Sequence, residues 1–157
     1  MNLGHLFFGF SGRVNRAKFW IAVLILAAIN IVLAVIGYVA DQSGVFQAIN
    51  GIISIVVLVS SLAVGVKRLH DRDKSGWYLV LFYIVPGVLG GVASFMMITM
   101  EDATLVAGIL SLLAFAIAIW AFVELGCLRG TIGTNRFGPD PLGAATAPPP
   151  PPLQPQA

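Results

Sequence analysis

Between Lys67 and Trp77 the chain reads Lys-Arg-Leu-His-Asp-Arg-Asp-Lys-Ser-Gly-Trp, with seven ionisable side chains in one short stretch. Two kinds of chemistry suit such residues. His70 beside Asp71 is a pairing used by metal-dependent hydrolases, with imidazole as metal ligand or general base. Arg68 and Arg72 carry planar guanidinium forks that match phosphate. The first reading is thin, because helical neighbours point about 100° apart and a ligand set would need His5, Glu124 or Asp140 to join. Arg68 and Asp71, three residues apart, predict an ion pair on one helical face instead.

The anion reading gathers residues from three places. Upstream, Ser11 is the expected N-cap of a helix whose one face would carry Arg13, Arg16 and Trp20 at three- and four-residue spacing. Downstream, Arg129 to Pro141 holds Asn135, Arg136 and Gly138 in a turn too rich in Gly and Pro for a helix. Its glycines 130, 133 and 138 are expected to offer backbone donors. In the middle stretch Ser75, Gly76 and Trp77 complete the set. No Gly-Lys-Ser/Thr follows the glycines, so a nucleotide cradle is not indicated.

The composition decides what must position these groups. Of 157 residues, 58% are hydrophobic and 10% charged, and the mean hydropathy is +0.92. Soluble domains carry about 25% charged residues. The expected fold is therefore an all-α integral membrane protein with four transmembrane helices. The spans fall at about 19–40, 46–66, 77–100 and 103–128 within a membrane domain of residues 1–141, and residues 142–157 form a disordered Pro-rich tail with five prolines from Pro148 to Pro152. A cleaved signal peptide fits poorly, since the first apolar run exceeds the usual length of about 7–15 residues. The Met1–Lys18 segment, apolar and basic together, suits the membrane interface.

Within the spans, Asn30 is expected to face another helix through a packing hydrogen bond. Gln47, Asn50, Ser54 and Ser61 share one helical face, which should meet protein or water. Pro86 is expected to kink the third span, and Gly87 with Gly91 to admit a close helix. Glu124 should pair with Arg129 or with the Lys67–Lys74 group. The lone Cys127 excludes an internal disulfide.

Every Lys and Arg lies before the first span, between the second and third, or after the fourth. The positive-inside rule then places the N-terminus, the C-terminus and the central loop in the cytoplasm. Asp41, Glu101 and Asp102 are left on the opposite side.

Three stretches carry a family resemblance: Phe10–Trp20, Arg68–Trp77 and Gly130–Pro141. In this order and spacing the chain, over about Leu3 to Pro141, resembles the small bacterial inner-membrane proteins of the domain of unknown function 805 family. The resemblance implies a four-span inner-membrane protein and supplies no activity, substrate or cofactor.

Three functions compete. The first is a non-enzymatic protein whose cytoplasmic Arg/His/Asp cluster binds an anionic lipid, a phosphate-bearing ligand or a protein partner. The second is a small oligomeric transporter or channel built on Asn30, Pro86 and Glu124. The third is a membrane-embedded enzyme with His70 as general base or Glu124 as acid. The expected partners are membrane lipids and a protein partner or second copy. Scattered basic residues make no nucleic-acid face, and no cofactor or metal motif is present in the sequence.

Overall fold

Apolar runs of this length have one backbone solution in lipid, because a helix satisfies all but its end groups within a single segment. The computed structural model describes residues 2–39, 44–100 and 102–143. Their elements are α1 (Leu3–Phe8), α2 (Arg16–Val39), α3 (Gly44–Asp71), a π turn (Val80–Ile84) running into α4 (Val85–Thr99), and α5 (Thr104–Phe122) ending in a second π turn (Val123–Cys127). Four of these helical segments are long and apolar enough to cross a membrane. Residues 144–157 of the Pro-rich tail and the turn residues 40–43 and 101 lie outside the described residues.

The spans form two hairpins, α2 with α3 and α4 with α5, which meet where the second π turn packs on α2 and α3, with Phe82 of the first π turn joining the shared core. Their shared core sits at the loop-bearing end, where Val14, Phe19, Ala22, Val64, Leu69, Leu79, Phe82 and Leu125 are buried together. Phe82 and Trp120 cross edge to face at 5.2 Å, and Trp20 meets Phe122 at 5.8 Å.

Several boundaries differ from expectation for local reasons. The second span does not stop at Val66: α3 continues to Asp71, so Lys67, Arg68, His70 and Asp71 are its last turn. Asp73 then adopts φ 56°. Its N–H donates to His70 O at 3.1 Å and the Lys74 N–H to Leu69 O at 2.9 Å, which closes a left-handed C-cap. Ser11 is not the N-cap of the first span. Asn15 is, its Oδ1 accepting the Lys18 N–H at 3.0 Å, so Arg13 precedes the helix and does not share a helical face with Arg16 and Trp20.

Pro86 falls at the start of α4, directly after the π turn, where the Val85 N–H donates to Val80 O. The wide turn stands where proline's missing donor would interrupt an α ladder. Among the described residues, nothing beyond the chain neighbours and the helix's own backbone comes within 4 Å of a Cβ built on Gly87 or Gly91. Asn30 donates to Leu26 O of its own helix at 2.8 Å, so its bond does not cross to another helix.

Candidate functional site

Asp71, the final residue of α3, is where the three polar segments meet. Its carboxylate is almost fully buried. Oδ1 accepts the Arg13 Nε–H at 3.1 Å and Oδ2 accepts Arg68 Nη1 at 2.6 Å. The backbone oxygen of Asp71 accepts the Thr131 N–H at 2.8 Å. Gly130 is required here, because a Cβ on it would overlap the Asp71 carboxylate.

The two arginines are saturated by protein. Arg13 sends Nη1 to Gly133 O at 2.6 Å and Gly138 O at 3.3 Å, and Nη2 to Thr131 O at 2.5 Å. Arg68, fully buried, gives Nε to Leu125 O at 2.7 Å and reaches Leu128 O with Nη2. The excess positive charge left after one carboxylate is met by the C-terminal carbonyls of the fourth span, which carry the negative end of its dipole.

Those carbonyls are capped in succession by side chains from elsewhere. Trp20 Nε1 donates to Gly126 O at 3.1 Å, Arg16 Nη1 to Cys127 O at 2.9 Å and Arg72 Nη1 to Arg129 O at 2.7 Å. The Trp20 ring lies so close that a Cβ on Gly126 would sit 2.7 Å from it. Glu124, in the same π turn, accepts Arg72 Nε and Lys74 Nζ, each at 3.0 Å, and its side chain is 5% exposed. Its partners are thus from the Lys67–Lys74 group and not Arg129.

His70 lies flat on Phe137, with ring centroids 3.8 Å apart and planes 6° apart. Its Nδ1 stands 3.3 Å from Gly12 O. A carbonyl can only accept, so Nδ1 carries the proton. Asn135 Nδ2 donates to His70 O at 2.9 Å and to Thr131 Oγ1 at 2.9 Å. Arg136 pairs with Asp73 at the exposed edge, 3.1 Å away. Among the described residues no three of His, Cys, Asp and Glu converge as a metal set.

The structure therefore joins Arg13, Arg68, His70, Asp71, Asn135, Arg136 and Gly138, while Arg16 and Trp20 cap the fourth span. Ser75 and Gly76 shape a local turn, and Trp77 is 80% exposed. The turn presents acceptors to Arg13 where donors were expected. The Gly133 N–H is taken by Asp140 Oδ2 at 3.1 Å and the Gly138 N–H by Asn135 O at 3.1 Å. These backbone donors, from Leu142 and Gly133, hold the Asp140 carboxyl below the usual carboxylate range.

Sequence reasoning overlooked Lys67. It is fully buried, and its Nζ donates to His5 O at 2.6 Å and Leu6 O at 2.5 Å. A cation is thereby set on the C-terminal carbonyls of α1, which fixes that short helix against α3. The available signal was a lysine one turn from the end of a span, preceded by an apolar N-terminal segment able to cover it.

Residues 7–139 match a family described as "Protein of unknown function (DUF805)". The chain is 30% identical over 138 residues to Inner membrane protein YhaH of Escherichia coli K12, covering 85% of this chain and 87% of that protein. It is also 30% identical over 133 residues to Inner membrane protein YhaI of the same strain, covering 85% and 86%. No solved structure matches the chain significantly. With four helices able to cross a bilayer and relatives of this kind over most of its length, the chain is an inner-membrane protein.

Proposed function

This chain belongs to the DUF805 family, and from that premise we propose that it is a non-enzymatic protein that holds anionic phospholipid against its cation-rich face, with that face and both termini in the cytoplasm. The observation that carries the reading is a division among its cations. Arg13 and Arg68 are buried and paired with Asp71, whereas Arg16, which gives one N–H to Cys127 O, and Lys18 and Arg129 are exposed and have no carboxylate within 4.0 Å among the described residues.

Arg16 and Arg129 line one small polar depression beside Thr131 and Asp140. One turn further along α2, Trp20 borders an apolar cleft of about 380 Å³ that includes Phe19, Val23, Phe82 and Phe122. A headgroup phosphate at Arg16 and Arg129, with an acyl chain running along that cleft, joins the two environments. Guanidinium suits the phosphate, and interfacial Trp suits the boundary. Arg13, Arg68 and Asp71 act in this reading as the frame that holds the segments in place.

The test is retention of phosphatidylglycerol against phosphatidylcholine by detergent-purified protein, read by native mass spectrometry. Arg16→Ala with Arg129→Ala lowers phosphatidylglycerol retention at least about fivefold and leaves phosphatidylcholine unchanged; a factor of five corresponds to about 1 kcal/mol. Unchanged retention in a folded double variant refutes the proposal.

A further inference from the structure

At the end of the bilayer opposite the polar cluster, α2 and α3 border a groove of about 290 Å³ lined by Asn30, Ala34, Gly37, Asn50 and Ser54 among others. Its lining is predominantly polar and contains no charged group. Asn30 and Ser54 are exposed and Asn50 is partly so. Asn30 spends one N–H on Leu26 O, while neither Asn50 nor Ser54 makes a side-chain hydrogen bond to any described residue.

Depth makes this arrangement informative. Asn30 stands about 13 Å from the Val39 end of α2, and Ser54 about 15 Å from the Gly44 end of α3, at the helical rise per residue. Both lie deep in a hydrocarbon layer ~30 Å thick. Acyl chains offer no donors or acceptors there, so free amide and hydroxyl groups at that level are disfavoured against lipid.

We propose that this groove is a self-association surface, covered by the same face of a second copy of the chain. Two copies inserted in the same sense have equivalent residues at equal depth, and a twofold axis along the membrane normal sets each polar level against its own counterpart. Asn suits that symmetry because its amide is both donor and acceptor, so Asn30 and Asn50 can each bond to the equivalent residue of the other copy. Most of α2 and α3 is uncovered within one copy, which leaves the face open to such a partner. This association is independent of the lipid proposal, because the two surfaces lie at opposite ends of the helices.

The test uses the full chain in vesicles of phosphatidylethanolamine and phosphatidylglycerol at high dilution in lipid. In a Cys127→Ser background, Ser54→Cys is oxidised and compared with Val92→Cys on α4. The expected result is at least fivefold more cross-linked species of twice 16.6 kDa for Ser54→Cys, falling to the Val92→Cys level when Asn30→Leu and Asn50→Leu are added. Equal cross-linking at the two positions, or no change on losing the amides, overturns the proposal in favour of a groove that faces lipid, water or a solute. A second measurement needs no span substitution: native chains labelled at the exposed Cys127 with donor or acceptor dyes are co-reconstituted. Transfer above the random-collision level that falls on further lipid dilution supports association, and transfer no higher than that level overturns it.

Discussion

Replacing Asp71 by Asn tests whether the polar cluster is a structural clasp. The carboxylate neutralises two guanidiniums whose side chains are 1% and 0% exposed. Asn keeps the shape but only one acceptor oxygen, so one arginine loses its charge-assisted bond and an amide N–H₂ is turned toward donors. Removing one partner of a buried pair costs about 3–5 kcal/mol, because the remaining charge stays buried. At ~2–4 °C per kcal/mol for a chain of this size, the melting temperature in detergent should fall by on the order of 10 °C. Arg13 also holds the carbonyls of Thr131, Gly133 and Gly138, so hydrogen exchange of residues 130–140 should accelerate more than that of the spans. Asp73→Asn is the control. Its pair with Arg136 is 44% and 61% exposed, and it should cost about 0–1 kcal/mol. An Asp71→Asn protein that melts within a degree or two of the parent, with the 130–140 segment still protected, refutes the clasp.

Three further outcomes follow from the same geometry. Gly130→Ala should destabilise the protein by a similar margin in the same melting assay, since the added Cβ overlaps the Asp71 carboxylate; a neutral result would mean that the turn can retreat without loss. Lys67→Met removes two charge-assisted bonds of about 1.5–3 kcal/mol each and should release α1 to limited proteolysis while the spans stay intact. Asp140, with its carboxyl held below the usual range in the fold, contributes stability that is present above the unfolded value of about 3.9 and is lost as pH falls through the folded value. Exchange protection at Gly133 and Leu142 should therefore drop on acidification below about pH 4, and Asp140→Asn should abolish that dependence.

The four long apolar helices were legible because lipid leaves an apolar run of this length one backbone solution. The meeting of three polar segments was also legible, since basic residues confined to alternate connections must lie on one side. What the sequence concealed was the direction of each hydrogen bond. Arg13 and Arg68 look like anion ligands until the carbonyls of Leu125, Thr131 and Gly133 arrive from segments more than fifty residues away. Ser11 and Asn15 are both good caps by residue type, so type alone does not reveal that α2 starts after Asn15. Lys67 escaped notice because its partners are carbonyls, which every residue possesses.

The capping of the fourth span has a consequence for the order of synthesis. Leu125, Gly126, Cys127 and Leu128 receive their donors from residues 16, 20 and 68, all made long before them. Throughout synthesis of the second hairpin those arginines wait without their final acceptors, and the segment that completes the Arg13 shell, Thr131 to Gly138, is made only after the fourth span. Closure of the clasp therefore reports that the fourth span and the turn after it have been translated, and a product truncated before Thr131 would sit in the membrane with the Arg13 shell open.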